Sequence, residues 1–130
     1  MAKVLVAEDE PEIRNLLVKI LTDAGYETRG TFDGLGALCD VKEFEPDLLI
    51  LDWMLPELSG NEVLNALRED AEYASYRNLK VIVVSDFHDE ESRRTFFHVG
   101  ADDFIAKTED LDALKINLLT AARLQLEGPD

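Results

Sequence analysis

Polar side chains that could do chemistry follow short apolar runs at four separate places in the sequence. They are Glu8, Asp9, Asp52, Ser85 and Lys107. Short apolar runs of this kind are typical of strands buried on both faces of a parallel sheet. Because parallel strands end at the same edge of their sheet, we expect the five side chains to converge there, where α/β proteins hold their active groups. The sequence therefore predicts one site built from four strand ends.

The predicted cluster combines carboxylates with a lysine and a hydroxyl, and it contains neither Cys nor His. Carboxylates placed together repel one another unless a cation lies among them, and a set of oxygen ligands favours Mg²⁺ over zinc. A divalent cation beside these groups suits the handling of a phosphoryl group. In such a reaction Asp52 attacks in line, Lys107 and the metal neutralise charge, and Ser85 hydrogen-bonds one phosphoryl oxygen. The expected product is an aspartyl phosphate on the protein itself.

The segments between the apolar runs predict helices that cover the sheet. A helical pattern starts at Pro11 and stops at Gly25, and Ser59 is typical of a helix N-terminus because Glu62 follows three residues later. Strand and helix patterns alternate five times, which favours an α/β fold with a single doubly wound, five-stranded parallel sheet and helices on both faces. Residues 26–32 are expected to form an edge strand. Four apolar residues of the last two helices are expected in the core: Phe96, Phe97, Leu118 and Leu119.

Composition narrows the classes of function. The 130 residues suit one domain, which we assign to residues 1–126 with a C-terminal tail at 127–130. Lys and Arg total 13 against 28 Asp and Glu, and a formal net charge of −15 would repel a phosphate backbone, so direct nucleic-acid binding is not expected. No apolar run reaches the roughly 20 residues that span a bilayer, and no signal-peptide pattern is present. We therefore expect a cytoplasmic protein without membrane insertion.

Four stretches together make the chain resemble the receiver domain of bacterial two-component response regulators. They read VLVAEDE at 4–10, PDLLILDWMLP at 46–56 with Gly60 beyond, VIVVS at 81–85 and GADDFIAK at 100–107. Each stretch alone is a weak signal, but the four in this order and spacing are specific. The resemblance covers essentially the full length and implies a flavodoxin-like fold with strand order 2-1-3-4-5.

The resemblance also implies roles for the acidic residues. Asp52 matches the phosphoacceptor of the family, and Glu8 and Asp9 match its acidic pair. The backbone carbonyl of Met54 matches the third protein ligand to Mg²⁺. The implied metal-ligand set is therefore Glu8, Asp9, Asp52 and Met54, and the implied cofactor is Mg²⁺.

The remaining matches concern switching and partners. Ser85 matches the switch hydroxyl, Lys107 the phosphate-contacting lysine, and Phe104 the aromatic residue that swings inward when the hydroxyl moves. The family takes its phosphoryl group from a histidine kinase or phosphotransfer protein, or from a small acyl phosphate. The expected output is a changed face for a downstream protein, which the sequence does not identify.

Two residues depart from the family pattern. Asp86 stands where a small residue usually follows the switch hydroxyl, and Thr108 stands where a cis-proline usually follows the lysine. Because a cis bond before a non-proline residue costs roughly 2.5 to 4 kcal/mol, we predict that the Lys107–Thr108 peptide is trans. The hydroxyl itself is Ser85, where threonine is common.

Three alternatives remain open at this point. The departures allow a pseudo-receiver that acts as a docking module without phosphorylation. The fold also allows a flavodoxin-like FMN carrier, but Glu8, Asp9 and Glu10 follow the first strand, where they would repel the FMN phosphate. An enzyme acting on a small phosphate ester is less well supported, because no second general acid or base accompanies the cluster.

Overall fold

The structure is a computed structural model that describes residues 1–128 of the chain. Strands and helices alternate along it in this order: β1 (Lys3–Ala7), α1 (Pro11–Asp23), β2 (Glu27–Thr31), α2 (Gly34–Phe44), β3 (Leu48–Asp52), α3 (Gly60–Glu69), β4 (Lys80–Ser85), α4 (Glu90–Val99), β5 (Asp103–Ala106) and α5 (Leu111–Glu127). One further element, a 3-10 helix at Ala71–Tyr76, lies between α3 and β4. The sequence analysis did not predict it, because none of its residues is buried and it therefore has no apolar stripe.

The five strands form one parallel sheet in the order β2-β1-β3-β4-β5. This confirms the predicted doubly wound α/β fold and its strand order. The chain runs outward from β1 to the β2 edge and then returns to the other side of β1, so the order of the strands reverses between β1 and β3. The carboxyl ends of strands at such a reversal are the usual position of a binding site in this type of fold.

Apolar side chains form two layers, one on each face of the sheet. Helices α1 and α5 cover one face with Leu17, Leu21, Leu114 and Leu118 among others. Helices α2, α3 and α4 cover the opposite face with Val41, Leu64, Leu67 and Phe96 among others. Every residue of β3 is buried because this central strand is covered on both faces. The strand that carries Asp52 is thus buried along its whole length.

The residues at the helix N-termini explain where the helices begin. Ser59 accepts the N–H of Glu62, and the Glu62 carboxylate accepts the N–H of Ser59, which is the predicted reciprocal cap of α3. Asp33, Asp89 and Asp110 cap α2, α4 and α5, and the side chain of each accepts the backbone N–H of the residue three positions later. These caps fix the points at which the loops after the strands join the following helices.

The core prediction is confirmed for Phe96 and Leu118 and is wrong for Phe97. Phe96 is 1% exposed and Leu118 is fully buried, whereas 44% of Phe97 is exposed. Consecutive residues on a helix point about 100° apart, so only one of two neighbouring phenylalanines in α4 can face the sheet. Leu119 is half-buried at the margin of the core.

Helix α5 extends to Glu127, so the first residue of the predicted tail is helical. Residues 129 and 130 of that tail lie outside the described residues. None of the helices within residues 1–128 combines the length and the apolar character needed to cross a membrane.

Candidate functional site

The register of the sheet places the predicted site residues at one edge. Asp52 pairs with Val84, and Ser85 pairs with Ala106, across neighbouring parallel strands. Lys107 follows directly, and its backbone N–H donates to the Ser85 carbonyl at 2.9 Å. The ends of β3, β4 and β5 are therefore aligned, although they are separated by tens of residues in sequence.

Three carboxylates meet at this edge. Carboxylate oxygens of Glu8, Asp9 and Asp52 all lie within 4.8 Å of one another. Glu8 and Asp52 are buried, at 1% and 2% exposure, while Asp9 is exposed. Since buried carboxylates are rare unless they are paired, this pair needs a compensating positive charge.

Backbone hydrogen bonds orient the two buried carboxylates. Glu8 Oε2 accepts the N–H of Glu10 at 3.1 Å, and Asp52 Oδ1 accepts the N–H of Met54 at 3.2 Å. The N–H of Glu8 donates to the carbonyl of Thr31 on β2 at 3.0 Å. The carboxylates are thus held by the loops that leave β1 and β3, and the turn after Asp52 is tied to the Asp52 side chain itself.

Lys107 supplies the compensating charge. Its Nζ lies 2.8 Å from Glu8 Oε1 and 3.3 Å from Asp52 Oδ1, and only 11% of its side chain is exposed. The lysine therefore bridges the ends of β1 and β3 from its own position after β5. Of the predicted site residues, the structure brings Glu8, Asp9, Asp52 and Lys107 into one cluster.

The pKa values in the cluster follow from burial and from the facing charges. Burial raises the pKa of Glu8 from 4.5 to about 7; Lys107 and the Glu10 N–H lower it in part, and the charge of Asp52 raises it further. Burial lowers the pKa of Lys107, but the contacts with Glu8 and Asp52 outweigh this effect and leave the pKa above its ordinary value. Near neutral pH the lysine is therefore charged, while Glu8 holds its proton part of the time.

Ser85 and Phe104, the predicted switch residues, lie on the neighbouring strands β4 and β5. Ser85 is buried, and its Oγ accepts the N–H of Phe87 at 2.9 Å. Because that bond uses the oxygen as acceptor, the hydroxyl hydrogen can be donated elsewhere. Phe104 is half-buried, with its ring centroid 5.9 Å from that of Phe96 and with the Arg93 guanidinium 5.1 Å from its ring centroid. The ring therefore rests against α4 without being enclosed by it.

The donor set of the cluster fits Mg²⁺. It offers hard carboxylate oxygens and no sulfur or imidazole nitrogen. One oxygen of each carboxylate lies within 4.8 Å of the other two, so a single cation would be shared among the three residues. Met54, the predicted backbone ligand, follows Asp52 by two residues, and 63% of its surface is exposed.

Gly60 lets the α3 N-terminus approach the site closely. A Cβ atom at this position would lie 2.5 Å from the carbonyl oxygen of Asp52 and 2.7 Å from the Cα of Trp53. Both are backbone atoms, so neither can move aside easily. The N–H of Gly60 also donates to the carbonyl of Trp53 at 3.0 Å, which closes the loop after β3 onto the helix.

Sequence reasoning missed Arg14, which supports the acidic loop. Its guanidinium donates to the carbonyl of Glu8 at 2.9 Å and to that of Asp9 at 3.5 Å. The arginine thus binds the backbone that carries the acidic pair, whereas the buried carboxylate of that pair, Glu8, contacts Lys107. The available signal was its position in the first turn of α1, directly after the acidic residues.

The two departures from the family pattern have visible consequences. The Lys107–Thr108 peptide is trans, as predicted, and the Thr108 hydroxyl accepts the N–H of Asp110 at 3.2 Å, just before α5. Asp86 is exposed. Its carboxylate can therefore be hydrated, and it does not add a buried negative charge to the cluster.

A family model described as the response regulator receiver domain matches residues 4–119. The transcriptional regulatory protein KdpE of Mycobacterium tuberculosis is 37% identical over 123 residues, which are 95% of this chain and 52% of KdpE. The phosphate regulon transcriptional regulatory protein PhoB of Klebsiella pneumoniae is 34% identical over 105 residues, which are 81% of this chain and 44% of PhoB. The chain thus spans about half the length of each of these two relatives.

Solved structures with the same fold include two single receiver units. The receiver domain of the Francisella response regulator 1452 superposes with a TM-score of 0.79 at 30% identity, covering 92% of this chain and 95% of that one. The chemotaxis response regulator CheY4 of Vibrio cholerae gives a TM-score of 0.84 at 28% identity, covering 97% and 99%. The fold of this chain thus recurs in proteins of similar sequence.

Proposed function

The chain belongs to the response regulator receiver domain family, and from this premise we propose that Asp52 is its phosphoacceptor in a Mg²⁺-dependent reaction. Receiver domains are signalling domains of two-component systems, and the phosphoacceptor role suits this site. The observation that carries the assignment is the buried Asp52 carboxylate at the end of β3, with Lys107 Nζ 3.3 Å away. Glu8 and Asp9 lie beside it within the same group of oxygens.

The proposed step transfers a phosphoryl group to the protein. A carboxylate oxygen of Asp52 forms the new bond to phosphorus as the bond from phosphorus to the donor breaks. The donor is a phosphohistidine of a kinase or phosphotransfer protein, whose imidazole leaves and takes a proton from solvent, or a small acyl phosphate, which leaves as a carboxylate. Lys107 stabilises the negative charge of the phosphoryl oxygens, since its ammonium already faces Asp52.

The metal would be held by the carboxylates of Glu8, Asp9 and Asp52 together with the backbone carbonyl of Met54. When bound, Mg²⁺ supplies neutralisation of charge on the phosphoryl oxygens. Its binding also offsets the mutual repulsion of the carboxylates, which Lys107 alone offsets only in part.

The output of the proposed switch begins at Ser85. Its hydroxyl hydrogen is donated to a phosphoryl oxygen on Asp52, and Phe104 turns inward as β4 adjusts. The half-buried state of Phe104 against α4 suits such a movement. The face built from α4, β5 and α5 then changes its affinity for a downstream protein, because only differential affinity for the two states can transmit a signal.

Organisation and location are part of the same proposal. Residues 1–126 form the receiver unit, and the domain acts in the cytoplasm without binding nucleic acid directly. Both relatives described above are named as transcriptional regulators, which supports gene regulation through a partner or an attached domain as the output.

Intact-mass measurement with a small phosphodonor tests the assignment. Wild-type protein treated with acetyl phosphate and Mg²⁺ should gain one phosphoryl group, and Asp52→Asn should gain none. Chelation with EDTA should suppress the adduct. Asp86→Asn is the matched control, since it removes an exposed carboxylate close to the site and should leave the adduct intact. An unchanged adduct on Asp52→Asn, or none on wild type, would contradict the proposal.

A further inference from the structure

A cleft of about 340 Å³ lies next to the carboxylate cluster, between the loops after β3 and β4 and the first turns of α4. Its lining consists of apolar, acidic and hydroxyl side chains: Trp53, Met54, Phe87, Asp89, Glu91, Ser92, Thr95 and Phe96. A volume of this size suits a small ligand group or a single side chain of a partner. The mechanism proposed above uses none of these side chains.

The walls of the cleft are aromatic and partly open to solvent. The rings of Trp53 and Phe96 meet edge to face with centroids 4.8 Å apart, and Phe96 is buried. Phe87 and Met54 stand at the mouth with 54% and 63% of their surface exposed. Large apolar side chains exposed together around a concavity are typical of a binding surface.

The rim of the cleft is negatively charged. Asp89 accepts the N–H and the hydroxyl of Ser92 at 3.2 Å and 2.7 Å, and these hydrogen bonds lower its pKa, so its carboxylate stays ionised at neutral pH. Glu91 lies two residues further on α4. None of the described lining residues is basic.

The two arginines of α4 are occupied elsewhere. Arg93 stacks over the ring of Phe104, and Arg94 pairs with Glu90 at 3.2 Å. The negative rim is therefore left for a positive group that comes from outside the chain. A carboxylate offers about four acceptor positions, so Asp89 can still bind such a group while it caps α4.

We propose that this cleft binds the guanidinium group of an arginine side chain on a protein partner. A guanidinium is planar, stacks on aromatic rings and donates two parallel hydrogen bonds to a carboxylate. It is also less strongly hydrated than an ammonium, so it loses less hydration free energy when it enters a site lined by Trp53 and Phe87. The combination of aromatic walls and acidic rim is thus complementary to arginine in both shape and charge.

The position of the cleft connects it to the phosphoacceptor site. Trp53 follows Asp52 directly, and the N–H of Phe87 is the group bonded to Ser85 Oγ. An arginine seated in the cleft would hold its partner at the edge of the cluster. This positional consequence rests on the proposed function, whereas binding of the arginine itself does not.

NMR titration of the unphosphorylated protein tests the proposal. The chain has one tryptophan, so the indole N–H of Trp53 gives a single reporter signal. The probe is Nα-acetyl-arginine N-methylamide, and its neutral counterpart is the citrulline analogue of the same shape. We expect saturable movement of the indole signal with the arginine probe and about fivefold or more weaker binding of the citrulline probe.

Adjacent carboxylates on α4 supply matched variants. Glu91→Gln and Asp89→Asn should each weaken arginine binding about threefold or more, and Asn retains the capping function at 89. Glu90→Gln removes the same charge from the same helix but not from the cleft, and it should change binding less than twofold.

Three outcomes would overturn the proposal: no saturable movement with arginine, equal binding of the citrulline probe, or equal weakening by Glu90→Gln and the two cleft variants. Because no phosphodonor is present, these results are independent of whether Asp52 is the phosphoacceptor.

Discussion

Lys107 Nζ lies 2.8 Å from Glu8 Oε1 and thereby joins the end of β5 to the end of β1 across two intervening strands. The carboxylate is almost fully buried and the ammonium is largely so. One lysine faces two buried carboxylates, so the metal-free cluster carries more negative than positive charge when Glu8 is ionised. This imbalance has consequences for pH, metal binding and stability.

Replacing Glu8 should change the pH dependence of stability. A carboxyl group whose pKa rises from 4.5 in the unfolded chain to about 7 in the folded protein stabilises the fold fully below pH 4.5 and loses that contribution as pH rises through 7. In EDTA, we therefore expect the unfolding free energy of wild type, measured with urea and taken relative to that of Glu8→Gln, to decline over this pH range. The decline should be a few kcal/mol at most. Glu10→Gln removes an exposed carboxylate nearby, so its unfolding free energy should keep the pH dependence of wild type. The same pH dependence of the unfolding free energy in wild type and Glu8→Gln would contradict the raised pKa of Glu8.

Removing Asp9 should abolish Mg²⁺ binding without unfolding the protein. Asp9 is exposed, so Asp9→Asn leaves the core intact, but it takes one of three clustered carboxylates from the site. Saturating Mg²⁺ at 100 times its dissociation constant should stabilise wild type by about 2.7 kcal/mol, seen as a rise in Tm. The rise should be absent in Asp9→Asn and present in Glu10→Gln. A normal rise in Asp9→Asn would place the metal elsewhere.

Replacing Lys107 should separate its structural role from the metal's. Lys107→Met leaves two buried carboxylates without a counter-charge, so the metal-free protein at pH 8 should lose about 3 kcal/mol of unfolding free energy. Mg²⁺ affinity should rise, because the ammonium no longer competes for the same oxygens. Calorimetry and urea unfolding measure the two effects. Lys19→Met is the control: its pair with Asp23 is exposed, and we expect a change below about 1 kcal/mol. Weaker Mg²⁺ binding in Lys107→Met would refute the competition.

Adding one methyl group at Gly60 should disturb the site. In Gly60→Ala the new Cβ meets backbone atoms of Asp52 and Trp53, so the loop after β3 must shift, at a cost of about 1 to 3 kcal/mol. Phosphorylation by acetyl phosphate should slow in the same variant. Gly30→Ala is the comparison, since its Cβ would meet only the flexible side chain of Arg14, and it should cost less than about 1 kcal/mol. Similar losses in the two variants would argue against backbone contact as the cause.

Local sequence patterns were sufficient for much of the fold. The alternating apolar runs, the cap at Ser59 and the stop at Gly25 reflect side-chain periodicity and backbone preference over a few residues, and the structure has these elements where they were predicted. The 3-10 helix was missed because it has no buried stripe to leave a periodic signal. The choice between Phe96 and Phe97 also lay outside the local pattern, because both are apolar and only the orientation of α4 decides which one is buried.

By itself the sequence determined which side chains stand at the ends of the strands, since strand position and strand direction follow from local patterning and from the handedness of the connections. Only the tertiary structure decided that Lys107 lies closest to Glu8, that Arg14 binds the backbone of the acidic loop, and that Trp53 and Phe87 border a cleft with Asp89. Those relationships depend on strand register and on packing between residues far apart in the chain. Distances of a few ångströms between such residues are set by the folded core as a whole, which no local pattern encodes.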